Sequence, residues 1–96
     1  MNLSTLFDLA NIPFNGSNGN MTVSGIAIDS RTVKANYVFI AIEGSTQDGH
    51  EYIDSAIKAG AIAVVVQKAA KHNEDRVDLI KVSDSAKAAG LIASAY

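Results

Sequence analysis

The run Gly49-His50-Glu51-Tyr52-Ile53-Asp54-Ser55-Ala56-Ile57-Lys58-Ala59-Gly60-Ala61-Ile62-Ala63-Val64-Val65-Val66 carries two hydrophobic patterns back to back. From about His50 to Ala59, the apolar Tyr52, Ile53, Ala56 and Ile57 recur at helical spacing, with Glu51, Asp54 and Lys58 on the other face. Asp48 stands where an N-cap belongs and Gly60 where a C-cap glycine belongs. Ala61 to Val66 is then continuously apolar, the mark of a strand buried on both faces. A helix that delivers the chain into a doubly covered strand is the repeating unit of a parallel α/β sheet.

Toward the N-terminus, Tyr37 to Ile42 predicts a second strand. It is entered through a tight turn at Lys34-Ala35-Asn36, whose asparagine tolerates a left-handed backbone. Met21 to Asp29 alternates toward another strand, interrupted by Gly25, which marks a bulge or a close backbone approach. Asn2 to Ala10 predicts a short amphipathic helix, with Leu3, Leu6, Phe7 and Ala10 inward and Asn2 or Ser4 as cap. Asn11 to Asn20 holds Pro13, Gly16, Gly19 and further asparagines, and is expected to be the loosest part of the chain. Toward the C-terminus, Gln67 to Asp78 is polar and charged, with His72 and Glu74-Asp75-Arg76 reading as solvated surface. Leu79 to Val82 predicts a short strand, and Ser83 or Asp84 caps a last helix reaching Tyr96. The fold class expected is α/β: a single three-layer domain whose mostly parallel sheet of about four to five strands is flanked by helices.

Composition narrows the function. A chain of 96 residues is one domain, and 48% hydrophobic content argues against disorder. Eight Lys+Arg against ten Asp+Glu leave a net charge of −2, without the excess of basic residues expected of a nucleic-acid binder. The absence of cysteine excludes a disulfide framework, a thiolate zinc site and a cysteine nucleophile. His50 and His72 are too far apart in the chain to suggest a metal centre, so no metal site is expected. No apolar run is long enough for a bilayer and the N-terminus carries no export pattern, so a cytoplasmic protein with no membrane partner is expected.

Two polar loops follow predicted strands at their carboxyl ends, where open α/β sheets bind ligands. One is Asp29-Ser30-Arg31-Thr32; the other, Gly44-Ser45-Thr46-Gln47-Asp48-Gly49, opens into a helix. Free N–H groups at a helix start receive anions, and an arginine offers a forked cation to the same kind of group. Together they suggest a seat for part of a phosphorylated ligand. Each also has a plainer reading. Asp-Ser-Arg is commonly a turn whose aspartate binds its own backbone, and the glycine loop lacks the lysine and spacing of a P-loop. His50 reads as capping or solvated, and Tyr52 as core. No catalytic set can be nominated from spacing.

The order of the pieces resembles a known family. Ile28-Asp29-Ser30-Arg31-x-Val33-Lys34, then Val38-Phe39-Ile40-Ala41-Ile42-x-Gly44, then Asp48-Gly49-His50-x-Tyr52-Ile53-x-x-Ala56-Ile57-x-x-Gly60-Ala61 is similar to the N-terminal domain of the Mur ligases. Asp29-Ser30-Arg31 favours the MurE type over its sister, the MurF type. The resemblance covers nearly the whole chain, and implies that residues 1–96 form the domain holding the UDP end of UDP-MurNAc-L-Ala-D-Glu. Central ATP-binding and C-terminal domains, absent from this chain, would supply the rest. It further implies that Ile28, Ser30, Ser45, Thr46 and Gln47 contact the UDP moiety, with Arg31 and His50 as neighbours.

For the parent enzyme the resemblance implies ATP-dependent amide-bond formation in peptidoglycan precursor synthesis, with ATP and Mg2+ as cofactors. The glutamate side-chain carboxylate would be activated as an acyl phosphate and attacked by the incoming amine. The fragment itself is expected to need no cofactor and to form no bond, because the family's ATP loop would begin after Tyr96. Two departures stand out: Asn36 replaces a usual glycine, and Ala86, beside Lys87, replaces a usual arginine. A MurF-type domain and a freestanding α/β interaction or regulatory module are the competing readings.

Overall fold

The computed structural model describes residues 1–44, 47–68 and 77–96. Among them the chain runs through helix α1 (Leu3–Leu9), strand β1 (Gly25–Ala27), strand β2 (Tyr37–Ile40), helix α2 (Ile53–Ala59), strand β3 (Ala63–Val66), strand β4 (Asp78–Lys81) and helix α3 (Ser85–Ala95). The strands lie side by side in chain order and every pairing is parallel. Ala27 stands opposite Phe39, Phe39 opposite Val64 and Val64 opposite Leu79, so one register line crosses the sheet.

Alternation along that register sends side chains into two cores. Val38, Ile40, Ala63, Val65 and Ile80 meet Leu3, Leu6 and Phe7 of α1 and Ala88 and Ile92 of α3. On the other face Ala27, Phe39, Ala41, Val64 and Val66 meet Val33 and the Ile53 and Ala56 of α2. Helices therefore cover both faces, the three layers expected. The unbroken apolar run of β3 follows directly, since its side chains are buried in both directions.

The local signals act as read. Asn2 accepts the Thr5 N–H to cap α1, and Asp84 accepts the Lys87 N–H to cap α3. Gly60 closes α2 in the left-handed conformation, φ 118°, where an added Cβ would sit 2.7 Å from the Ala35 Cα. Asn36 is also left-handed, φ 64°, and its N–H donates to the Gly60 carbonyl at 2.9 Å. Two cap-type residues thus lock the entry of β2 to the end of α2. Of the two readings of Gly25, close approach is the one observed: a Cβ there would lie 2.4 Å from the ring of Tyr37.

Four expectations need correction. The strand expected over Met21 to Asp29 shrinks to β1, because the Met21 carbonyl and Val23 N–H pair with Leu3 and Met1, and Asp29 turns away. The helix expected from His50 begins at Ile53, after a 3-10 turn over Gly49–Tyr52. The Asn11–Asn20 loop, expected to be loosest, is tied down: Phe14 stacks on Phe7 with ring centroids 5.4 Å apart, and Ile12 is buried. Asp78, read as the end of a polar loop, opens β4 instead and is only 8% exposed. Its carboxylate accepts the N–H groups of Ser17 and Asn18 at 3.0 and 2.8 Å, and Asn18 donates to the Ile62 carbonyl at 2.9 Å. Gly16 makes room for this carboxylate, since a Cβ would sit 2.3 Å from it. The readings of His72 and of Glu74 to Arg76 lie outside the described residues.

Truncating Asp78 strips the acceptors from two loop N–H groups. Asp78→Ala is expected to lower the free energy of unfolding by about 1–3 kcal/mol, read by urea denaturation.

Candidate functional site: two loops at the carboxyl edge of the sheet

Because the strands run parallel, the segments leaving β1 and β2 emerge side by side on one edge of the sheet. After β1, Asp29 caps a 3-10 turn over Ser30–Thr32, accepting the Arg31 N–H at 2.9 Å. The Arg31 side chain folds back onto the same carboxylate, with Nε and Nη2 at 3.1 and 2.8 Å. Hydrogen bonds from the Arg31 side chain, then from its backbone, hold the Asp29 carboxyl down at about 2, and the same pairing raises Arg31. Asp29 is thus the turn-former that the plainer reading described. The Arg31 side chain remains 88% exposed.

After β2, the chain makes a narrow hairpin. Glu43 and Asp48 form an antiparallel bridge, the Gly44 N–H donates to the Gln47 carbonyl at 2.7 Å, and the Gly49 N–H donates to the Ile42 carbonyl at 2.9 Å. Gly49 is required by this closure, because a Cβ would lie 2.8 Å from the Ile42 nitrogen and 3.2 Å from the Ala41 Cα.

Between the two loops lies a cavity of about 530 Å³. Ile28, Asp29, Ser30 and Arg31 line it from the first loop, and Ile42, Gly44, Gln47, Gly49 and Tyr52 from the second, with the buried Phe39 beneath. The structure therefore brings Ile28, Ser30, Arg31 and Gln47 together. Ser45 and Thr46 lie outside the described residues. Ile28 is 60% exposed, an apolar surface held at a strand end.

Tyr52 and His50 are placed differently from the sequence reading. Tyr52, expected in the core, is 37% exposed and lines the cavity. It ends the 3-10 turn, so the helical period that assigned it inward starts one residue later. His50, expected to be capping or solvated and a neighbour of the ligand, is absent from the cavity's described lining and its side chain is only 9% exposed. Its Nδ1 lies 2.6 Å from Asp48 Oδ1, and its Nε2 accepts the N–H groups of Gln67 and Lys68 at 2.9 and 3.3 Å. The Lys68 ammonium reaches Asp48 Oδ2 at 2.5 Å and Glu43 Oε2 at 3.4 Å. Lys68 first, then the backbone and ring of His50, hold the Asp48 carboxyl well below the usual carboxylate range, and Asp48 raises Lys68.

Among the described residues no three His, Asp or Glu side chains converge as metal ligands. Asp29, the one carboxylate on the described lining, is already held by Arg31. These residues do not fit Mg2+ or a magnesium-bound nucleotide; they offer hydroxyl, amide, guanidinium and apolar surface. Among the described residues no helix is long and apolar enough to cross a membrane.

The lowered Asp29 carboxyl makes the turn sensitive to acid. A folded value of about 2 against the ordinary 3.8 means its contribution is present above pH 3.8 and is lost as the pH falls toward 2. In Arg31→Ala the Asp29 carboxyl should rise from about 2 toward 3.8 without reaching it, because the N–H of residue 31 still donates to it, a change followed by carbon-detected NMR of the side-chain carboxyl.

Comparison with known proteins agrees with this architecture. Residues 22–96 match the family described as "Mur ligase family, catalytic domain". A UDP-N-acetylmuramoyl-L-alanyl-D-glutamate--2,6-diaminopimelate ligase of Parabacteroides distasonis is 38% identical over 96 residues, all of this chain and 20% of that protein. The ligase of the same name from Fusobacterium nucleatum is 47% identical over 74 residues, 75% of this chain and 15% of its own length. Among solved structures, MurF ligase from Thermotoga maritima in complex with ADP superposes with a TM-score of 0.62 at 31% identity, covering 71% of this chain and 15% of that one. MurF from Acinetobacter baumannii, at 18% identity, shares the fold over 98% of this chain and 20% of its own with a TM-score of 0.77. The chain thus spans about a fifth or less of the length of these relatives. With the family match running from just ahead of β1 through α3, the chain belongs to the Mur ligase family.

Proposed function

We propose that residues 1–96 are the substrate-recognition domain of a MurE-type ligase, holding the UDP end of a UDP-MurNAc-L-Ala-D-Glu substrate. The observation that carries this reading is the single cavity shared by Ile28, Ser30, Arg31, Gln47 and Tyr52. Its volume suits a nucleotide-sized ligand. Its chemistry is divided in the way UDP is divided. Ile28 and Tyr52 offer apolar surface to a flat base, Ser30 and Gln47 offer hydrogen bonds, and the exposed Arg31 guanidinium offers a cation to the diphosphate. Ser45 and Thr46, which precede Gln47 in the chain, are assigned to the UDP contact by the family resemblance.

The domain's part in catalysis is positional. Gripping a remote nucleotide handle fixes the reacting carboxylate relative to groups elsewhere in the ligase, so binding energy far from the chemistry serves the rate. The central and C-terminal domains of the same ligase are its partners in this reading, and ATP and Mg2+ belong to them. The names of the curated relatives support the MurE type. The likeness to the Thermotoga MurF, at 31% identity, keeps the MurF type as the second reading. A cytoplasmic location goes with a UDP-linked substrate and ATP.

Titration of the ¹⁵N-labelled chain with UDP is expected to move the amide signals of Ile28, Ser30, Arg31 and Gln47 while leaving Asp8 and Leu91 in place. Ser30→Ala is expected to weaken binding about fivefold, the loss of one hydrogen bond. A flat titration at millimolar UDP would favour a freestanding interaction module instead.

A further inference from the structure

The Asp48-Gly49-His50 sequence carries much of the family likeness, yet neither Asp48 nor His50 is on the described lining of the cavity. We infer that His50 is a positioning residue: its imidazole, clamped between Asp48 and the backbone leaving β3, holds the Glu43–Asp48 hairpin where Gln47 meets the cavity. This rests on the reading of that cavity as a UDP seat.

The geometry leaves the ring no lone pair for a substrate. Nε2 faces two backbone N–H groups, Gln67 and Lys68, and so must accept, which places the ring proton on Nδ1 against Asp48 Oδ1. The same Oδ1 accepts the His50 N–H at 3.0 Å, so Asp48 caps the turn and orients the ring together. The hairpin's own backbone bonds, Gly44 to Gln47 and Gly49 to Ile42, close it on itself and on the end of β2. The histidine reaches across to the neighbouring strand, joining residues 17 and 18 positions apart. The Lys68–Asp48 pair spans the same gap, but Lys68 is half exposed and such a pair contributes little in water. The buried imidazole is therefore the tie that sets the hairpin against the sheet, one residue pair away from Gln47.

Two substitutions separate the halves of the clamp. His50→Asn keeps a donor near Nδ1 for Asp48 and loses the acceptor at Nε2. His50→Gln brings an acceptor within reach of the Gln67 N–H and loses the Nδ1 donor. In the ¹⁵N-labelled chain, His50→Asn is expected to speed hydrogen exchange at Gln67 and Gly44 and to raise the Kd for UDP about tenfold. His50→Gln, with Gln67 still protected, is expected to bind within about threefold of the unsubstituted chain. A folded His50→Asn with Gln67 unprotected and a Kd within about twofold of the parent would overturn the assignment. If His50→Asn does not fold, a tenfold loss in His50→Gln with Gln67 protected overturns it equally. Should the unsubstituted chain show no UDP shifts, the UDP reading falls with its consequence here. Unchanged Gly44 exchange in His50→Asn would then separately refute the positioning role.

Discussion

Strand β3 belongs to two cores at once, and neither core closes without it. Ala63 and Val65 pack toward α1 and α3, while Val64 and Val66 pack toward α2. Removing one such valine side chain from water contributes about 1.5–3 kcal/mol, and β3 places three in succession. A strand so committed cannot slip by one residue without exchanging its faces, and here both faces are apolar but differently filled. Its parallel pairing with β2, and that of β2 with β1, then puts the carboxyl ends of all three on one edge. The cavity exists because of that edge. It is the space left where two loops leave adjacent parallel strands.

The loops achieve rigidity by different means. The first is stiffened within itself: Asp29 accepts the backbone and the side chain of Arg31, two residues on, and the Arg31 end of this pair is largely exposed to water. Its ion pair shapes the turn more than it stabilises the fold. The second loop is stiffened from outside, through His50 to the chain leaving β3 and through Lys68 to Asp48 and Glu43. A further tie on the same strand exit, Gln67 Oε1, accepts the Ser85 N–H at 2.9 Å and so joins β3 to the start of α3. Gln67 therefore links the cavity edge on one side and a helix of the opposite layer on the other. The end of β3 organises the site without lining it.

Much of this was open to a reader of the chain alone. The helix before Gly60, the strand after it, the left-handed Asn36 and the Asp29 turn are settled within one or two turns of backbone. The caps are narrowed to Asn2 or Ser4 and to Ser83 or Asp84, of which the fold uses Asn2 and Asp84. Their causes are short-range: hydrophobic period, a side-chain acceptor two or three residues ahead of an N–H, or a φ that few residues tolerate. The two polar loops were visible for the same reason, as breaks between periodic segments.

Other features needed the fold. Asp78 accepts from Ser17 and Asn18 across 61 and 60 positions, and His50 from Gln67 across 17, so no local pattern announces either partner. Tyr52 sits at a spacing that an α-helix would bury, and only the 3-10 turn exposes it to the cavity. That Ser30 and Gln47 face one space depends on β1 lying beside β2, and strand order is a choice among packings that the sequence of either strand leaves open. Backbone conformation answers to near neighbours along the chain; burial, and with it the site, answers to whatever the finished sheet brings alongside.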